Sequence, residues 1–244
     1  MSGLTATSWA DGPMIAFDCE ATSTDIETAR IVAATCVRLD PPREPVLSRW
    51  LIAPDIDIPA EATAIHHITT EHAREHGRPA ADVLPELADA LRTGWAAKAV
   101  VVGHNVCYDL SLLDRELRRW TGGAFAVTGP VADSLALDRT VDRYRPGKRD
   151  LATTAAHYHV AHNGAHNDLE DALAAARICW RICRIYPEVG GMTPRELWRH
   201  QRAGYRAWAE HYQEYRRRKA VDRGEDPNTI VINAEWPLYP YPAA

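Results

Sequence analysis

The sequence contains no apolar run long enough to cross a bilayer, and its densest apolar patch, Ala99 to Val102, has the length of a buried strand. The first residues lack a basic segment followed by an apolar stretch, so we expect no secretory signal. The five cysteines are odd in number and form no CxxC pair, which argues against a disulfide framework and a zinc knuckle. These absences favour a protein of the reducing cytoplasm with no membrane partner.

The overall composition is that of an ordinary globular protein. Of the 244 residues, 46% are apolar and 25% are charged, and the formal net charge is −5. An acidic balance is unusual for a protein that binds nucleic acid, although the stretch from Arg195 to Lys219 holds eight Arg or Lys and only three Asp or Glu. Bound cations also reverse the local sign where carboxylates collect. The net charge therefore decides nothing about the substrate.

Strand patterns come first in the chain, and helical patterns follow. The segments at 14–19, 30–39 and 46–53 are rich in strand-forming residues and predict an antiparallel meander. Further along, the pattern predicts a helix at 81–95, a strand at 98–102, and helices at 109–120, 134–141, 151–158 and 168–185. This order predicts an α/β fold in which helices flank a mixed sheet.

Changes in composition divide the chain into three parts. We expect residues 1–13 to be a leader without regular structure and residues 14–190 to form one domain. The residues Thr-Pro-Arg-Glu at 193–196 form a capping box with proline at the first helical position, which predicts a long helix at 193–221. With the proline-rich tail that follows it, this helix makes residues 191–244 a C-terminal extension.

A pair of carboxylates ends the first predicted strand. Asp18 and Glu20 are two residues apart, so on a strand they face the same side. Adjacent carboxylates repel each other unless a cation lies between them, and Mg²⁺ or Mn²⁺ prefers such oxygen ligands. A solvated strand end would give the same short pattern, so this pair needs support from elsewhere in the chain.

A second acidic position follows the strand at 98–102. The polar turn His104-Asn105 leads into a helix whose first turn contains Asp109, near the carboxyl edge of the sheet. That edge is where open α/β folds place their sites. The alternative is that Asp109 only stabilises the helix N-terminus, which is a common use of aspartate.

The third cluster is His166-Asn167-Asp168-Leu169-Glu170-Asp171. Five residues along a helix rotate by about 140°, so His166 and Asp171 could not share a helical face. Asn167 and Glu170 have the spacing of a capping box, which would start the helix at this point and leave His166 on the preceding loop, above Asp171. The alternative for His166, one of eleven histidines, is an ordinary surface residue.

Six motifs occur in a characteristic order over residues 14–187: FDCEAT, IHHIT, HNVCYD, ADSLALDR, PGKR and AHNDLEDA. In this order they resemble the DEDDh 3′–5′ exonucleases, with the greatest similarity to the epsilon proofreading subunits of bacterial replicative polymerases. The resemblance implies a ribonuclease H-like sheet of five strands. It also implies a hydrolase that acts on the 3′ end of a nucleic acid, single-stranded at that end.

By this resemblance, Asp18, Glu20, Asp109 and Asp171 hold two Mg²⁺ or Mn²⁺ ions, and His166 is the general base. A histidine base must be neutral, so activity should rise with pH through about 6.5, the ordinary pKa of histidine.

The resemblance also implies a set of substrate contacts. Glu61, Ile65 and His66 match the region where the family contacts the terminal nucleotide, and Asn105 and Lys148 fall on recurrent motif positions.

The sequence departs from the family pattern at a few positions without losing any of the five proposed site residues. Ala21 replaces a more usual threonine, and Tyr108 replaces phenylalanine. His67 stands where many members have glycine, which adds bulk beside the terminal nucleotide. Asn167 occupies the position of the tyrosine of the sister subfamily, which favours the histidine subfamily.

Aromatic residues recur at intervals of seven along the predicted C-terminal helix: Trp198, Tyr205 and Tyr212, and then Trp208 and Tyr215. One interpretation is a stripe that docks on the catalytic domain or on a second subunit, with the interleaved arginines in water. The other is a nucleic-acid arm that combines base stacking with phosphate contacts.

Two function classes stay open at this level. The first is the exonuclease, whose substrate could be DNA or RNA, since the contacts to the 2′-hydroxyl are structural details. The second is a catalytically silent nucleic-acid-binding or scaffold subunit, which would require a lost ligand. A polymerase or a second copy of the chain are the partners expected at the 193–221 helix, although no clamp-binding peptide of the Q-x-x-[LM]-x-F type is evident.

Overall fold

A six-stranded mixed sheet forms the centre of the chain, of which a computed structural model describes residues 8–162 and 168–242. The strands run in the order β4-β3-β2-β1-β5-β6. They are β1 (Met14–Ala21), β2 (Ile31–Leu39), β3 (Val46–Ala53), β4 (Arg78–Pro79), β5 (Val100–Gly103) and β6 (Val131–Asp133). The first three strands pair antiparallel, whereas β5 joins β1 and β6 joins β5 in parallel. The predicted fold class is therefore confirmed, with a sixth strand of two residues at one edge.

Helices cover both faces of this sheet. They are α1 (Ala60–His66), α2 (Thr70–His76), α3 (Ala80–Ala96), α4 (Val106–Thr121), α5 (Ser134–Val141), α6 (Leu151–His157), α7 (Asp168–Ile185), α8 (Pro187–Gly190) and α9 (Pro194–Asp222). The five helices predicted within the domain correspond to α3, α4, α5, α6 and α7. Within the described part of the chain, none of these helices is long and apolar enough to cross a membrane.

The alternation of side chains along β1 sets the position of its carboxylates. Ile15 and Phe17 point into the core formed with α3 and α4, whereas Met14 and Ala16 point into the core formed with α7. Since alternate residues of a strand share a face, Asp18 and Glu20 continue the α7 side. The strand thus delivers both carboxylates to the face that α7 covers.

The long C-terminal helix α9 docks on the edge of the sheet. It begins with the predicted capping box, in which the Thr193 side chain accepts from the Glu196 N–H. Its buried Gln201 donates to the Val131 carbonyl at 2.8 Å and accepts from the Asp133 N–H at 2.7 Å. One side chain therefore forms hydrogen bonds with the backbone at the open edge of β6, as a further strand would.

The tail after α9 folds back over α4. Trp236 is buried and packs edge-on against Trp198, with ring centroids 5.4 Å apart. The buried Arg115 donates to the carbonyls of Tyr239 and Pro240, at 3.3 and 2.7 Å. The predicted extension is thus packed against the body of the domain.

Within the segment predicted as a leader, Trp9–Asp11 form a short 3-10 helix. The Trp9 indole donates to the Val189 carbonyl at 3.0 Å, and Ala10 is buried. All five cysteines are free and buried, in agreement with the expected absence of disulfides.

Candidate active site

Three carboxylates converge where β1 and α7 meet. Asp171 lies in the first turn of α7, and the buried Ala172 and Ala176 pack this helix against the sheet. One carboxylate oxygen each from Asp18, Glu20 and Asp171 lies within 4.8 Å of the other two. Three carboxylates at this distance repel one another strongly unless a cation neutralises them. An oxygen-only donor set of this kind fits Mg²⁺ or Mn²⁺.

Asp109 adjoins this cluster from the opposite face of the sheet. It lies in the first turn of α4, and its Oδ1 accepts a hydrogen bond from the Cys19 N–H at 3.1 Å. Because Cys19 stands between Asp18 and Glu20 in β1, this bond ties Asp109 to the carboxylate pair. Burial raises the pKa of Asp109 to about 8 despite the hydrogen bonds it accepts, and the nearby Asp133 and Glu20 add to the rise. A cation in the cluster would favour the ionised form.

The sequence does not predict the contact of His162 with Asp171. The His162 Nε2 lies 2.5 Å from Asp171 Oδ1, and the His162 ring is largely buried. His162 belongs to no motif and precedes α7 by six residues, so the sequence around it does not predict this contact. The predicted base, His166, and its neighbour Asn167 lie outside the described residues.

A tight turn between β5 and α4 positions Asn105. Its φ angle of 64° lies in the left-handed region, and its N–H donates to Asp133 Oδ1 at 2.9 Å. Gly103 precedes the turn at a close approach, since a Cβ there would lie 2.8 Å from the Phe17 carbonyl oxygen. Asp133 also accepts from the N–H groups of Leu135 and Ala136 as the cap of α5. One buried carboxylate therefore joins the turn and α5.

The same turn is held to the loop between α5 and α6. His104 Nε2 lies 2.9 Å from the Arg149 carbonyl oxygen, and Nδ1 lies 2.8 Å from Ser134 Oγ. A carbonyl only accepts, so Nε2 carries the proton and Nδ1 accepts from the Ser134 hydroxyl. Burial lowers the pKa of His104, which keeps this ring neutral. The nearby Lys148 is exposed in the loop.

The remaining predicted substrate contacts lie on α1. This helix packs through Ala62 against Val32 of β2, beside the end of β1 that bears Glu20. Glu61 is exposed in its first turn, Ile65 is half-exposed, and His66 is buried, with its Nδ1 accepting from the Ile68 N–H at 3.1 Å. The helix ends at His67, whose φ of 62° is left-handed.

Comparison with known proteins gives three similarities. The family described as Exonuclease matches residues 15–179. The DNA polymerase III subunit epsilon of Aquifex aeolicus is 29% identical over 175 residues, which cover 70% of this chain and 81% of that protein.

The third similarity is to solved structures. Exonuclease I of E. coli, in its zinc-bound complex with single-stranded DNA, matches with a TM-score of 0.61 at 18% identity, over 73% of this chain and 42% of that chain. Exonuclease I of Methylocaldum szegediense matches with a TM-score of 0.55 at 20% identity, over 72% and 41% of the respective chains. This chain spans less than half the length of these two proteins, and the likeness shows a shared fold.

Proposed function

Since the chain belongs to the exonuclease family, we propose that it hydrolyses the terminal phosphodiester at the 3′ end of a nucleic-acid strand and releases nucleoside 5′-monophosphates one at a time. The observation that carries this proposal is the convergence of Asp18, Glu20 and Asp171, with ligand atoms within 4.8 Å of one another.

The four acidic residues would hold two divalent cations, Mg²⁺ or Mn²⁺. Asp18, Glu20 and Asp171 supply carboxylate oxygens that lie close together. Asp109 lies next to them and accepts a hydrogen bond from the Cys19 N–H. When bound, such ions lower the pKa of water and neutralise the charge that develops on the phosphoryl oxygens. Burial raises the pKa of Asp109, and a bound cation would favour the ionised form of this carboxylate.

We assign the general base to His166 on the strength of its motif. Its neutral imidazole would take the proton from the attacking water. His162, which contacts Asp171, would orient that carboxylate. Replacing His166 with alanine should lower the rate by about 10²–10⁴-fold, whereas His162→Ala, as the matched control, should cost less.

The residues around the cluster would place the terminal nucleotide. Glu61, Ile65 and His66 lie on α1 beside the end of β1, and Asn105 lies on the turn that precedes Asp109. Lys148, exposed in the α5–α6 loop, would contact a phosphate. The similar proteins include a DNA polymerase subunit and an exonuclease solved with single-stranded DNA, so we propose single-stranded DNA as the substrate and a polymerase as a partner.

The test is nucleotide release from a 3′-labelled single strand with Mg²⁺ or Mn²⁺, in the presence and absence of a chelator. We expect the release of mononucleotides, and we expect a chelator to abolish that release.

Glu20→Gln should lose several kcal/mol of transition-state stabilisation, which lowers the rate of hydrolysis at least about a hundredfold. The exposed Glu86→Gln is the matched control. Release that persists in chelator or in the Glu20 variant would contradict the proposal. Hydrolysis rates of DNA and RNA strands of the same sequence, measured side by side, show which of the two is the substrate.

A further inference from the structure

A groove runs between α5, the loop at 142–150 and α9, at the side of the candidate active site. Its cavity volume is about 750 Å³. Four arginines and five tyrosine or tryptophan side chains contribute to its lining, among them Arg139, Arg143, Tyr144, Trp208 and Tyr212. No aspartate or glutamate of the described residues lines it. We call it the basic groove.

The arginines of the basic groove differ in how far carboxylates neutralise them. Arg145 and Arg149 both pair with the buried Asp138, at 2.7 and 2.6 Å. Arg143 is exposed and forms no ion pair with a carboxylate in the part of the chain that the structure describes. Arg139 lies 3.6 Å above the Trp208 ring, and among the described atoms its Nε has no hydrogen-bond partner. The groove therefore keeps positive charge for an anionic ligand.

The aromatic side chains form a ladder along α9. Trp208 and Tyr212 stack with ring centroids 5.5 Å apart and planes 13° apart, and Tyr215 continues the stack at 6.3 Å and 21°. Across the groove, Tyr144 is 85% exposed. Aromatic faces beside arginines are the combination that binds single-stranded nucleic acid, because bases stack and phosphates pair with the guanidinium groups.

The basic groove extends to the turn that precedes α4. Asn105 is one of its lining residues and lies four residues before Asp109, just after the carboxyl end of β5. A strand whose 3′ end lies at the carboxylates can therefore enter the groove with the nucleotides that precede that end.

We propose that the basic groove binds the nucleotides on the 5′ side of the terminal residue, with phosphates at Arg139 and Arg143 and bases against Tyr144 and Tyr212. This inference rests on the proposed function, because it takes the 3′ end to lie at the carboxylates. It gives α9 a second role beside docking. The Arg143 and Tyr144 side chains would hold the strand from one side of the groove, and α9 from the other.

Binding of a fluorescent single-stranded DNA 12-mer to the full chain in chelator tests the inference without hydrolysis. Fluorescence anisotropy over a series of salt concentrations gives both the affinity and its salt dependence. Tyr144→Ala should weaken binding by roughly 5- to 100-fold, the range for loss of one stacked base. Tyr144→Phe, which keeps the ring, should bind within about twofold of the parent. Arg143→Ala should reduce the slope of log affinity against log salt by about 0.7.

The control is Arg43→Ala, an exposed arginine on the β2–β3 turn remote from the groove, which should leave binding unchanged. Equal affinities for the parent, Arg143→Ala and Tyr144→Ala would overturn the inference, even with exonuclease activity intact. An acidic peptide that loses affinity in these variants while DNA binding stays constant would also overturn it, in favour of a protein ligand. Strand binding that depends on the groove in a chain that hydrolyses nothing would support the groove and contradict the proposed function alone.

Discussion

Among single residues of the acidic site, Asp109 makes the stability of the folded chain depend on pH. Asp109 is 5% exposed, and its burial opposes ionisation, so the folded protein retains its proton up to about pH 8. The unfolded chain releases that proton near the ordinary value of 3.8. Such a carboxyl group contributes stability below its unfolded pKa and loses it as the pH rises through the folded pKa.

We therefore expect the free energy of unfolding, measured in chelator, to fall as the pH rises from about 4 to about 8. Thermal or urea unfolding across this range measures the effect. Asp109→Asn, which cannot ionise, should show a shallower decline. Adding Mg²⁺ to the parent protein should restore stability at the high end of the range, because the cation favours the ionised carboxylate. A parent and a variant with identical pH dependence would refute this account of Asp109.

His67 ends α1 in the left-handed region, at φ 62°, a conformation that costs a residue with a Cβ about 1–2 kcal/mol. Glycine has no Cβ and adopts this conformation without that cost, which agrees with the glycine that the family resemblance implies at this position. We expect His67→Gly to raise the free energy of unfolding by up to about 1 kcal/mol, after the entropy of glycine is subtracted. His72→Gly, at an exposed helical position in α2, is the control and should lower it by about 1 kcal/mol. Two changes of the same sign would contradict this interpretation.

The family resemblance predicts that Asp18, Glu20 and Asp171 meet, but the sequence does not predict every residue that contacts them. The shared strand face of Asp18 and Glu20 is local geometry that the sequence displays, whereas their approach to Asp171 follows from the packing of α7 against the sheet. His162 contacts Asp171 from a segment without periodicity or a cap. Asp133 joins Asn105 to α5 across 28 residues. Such contacts depend on tertiary packing and leave no local pattern.

At the scale of elements, the long periodic segments are predicted well, whereas the short elements α1, α2, β4 and β6 are not predicted. The helices α3 and α4 repeat apolar residues over several turns, which is the strongest sequence signal for a buried face. In contrast, α1 and α2 have seven residues each, β6 has three and β4 has two. Elements of this length gain their stability from neighbours, as β4 does by pairing with β3 through Ile52 and Ala53.

The closure of the β6 edge by α9 depends on one side chain. Gln201 is buried and makes hydrogen bonds to Val131 and Asp133. Gln201→Ala would leave the buried donor of Asp133 and an acceptor of Val131 without these partners, and we expect a loss of about 2–4 kcal/mol in the free energy of unfolding. Urea denaturation measures this loss. Gln213→Ala, which removes one hydrogen bond to Ile232 at a half-buried position, should cost about 1 kcal/mol. Equal losses would contradict the role given to Gln201.

On the scale of the whole molecule, the extension and the domain share one core. Tyr205 of α9 and Trp236 of the tail belong to the same buried cluster as Phe17 of β1 and Leu110 of α4. The docking interpretation of the aromatic stripe thus describes its buried members, while Tyr212 and Tyr215 stay accessible beside the basic groove. Periodicity alone predicts that α9 has an aromatic face, but it does not predict how much of that face is buried against the domain.

Deleting residues 192–244 should leave the chain insoluble or without cooperative unfolding, because it uncovers the β6 edge and removes Tyr205 and Trp236 from the core. Solubility and a urea transition monitored by circular dichroism measure this. Deleting only the residues after Gly224 should give a folded protein of lower Tm, since α9 remains while Trp236 is lost. A soluble, cooperatively folding fragment 1–191 would show that the extension is an independent arm.

The order of the elements along the chain has a consequence for the newborn protein. The acidic residues lie on β1, α4 and α7, and the side chain that closes the sheet edge lies later still, on α9. A ribosome therefore releases the first two of these elements long before the third can fold against them. Until then the growing polypeptide lacks Asp171, so the proposed metal site is incomplete and the proposed hydrolysis cannot begin.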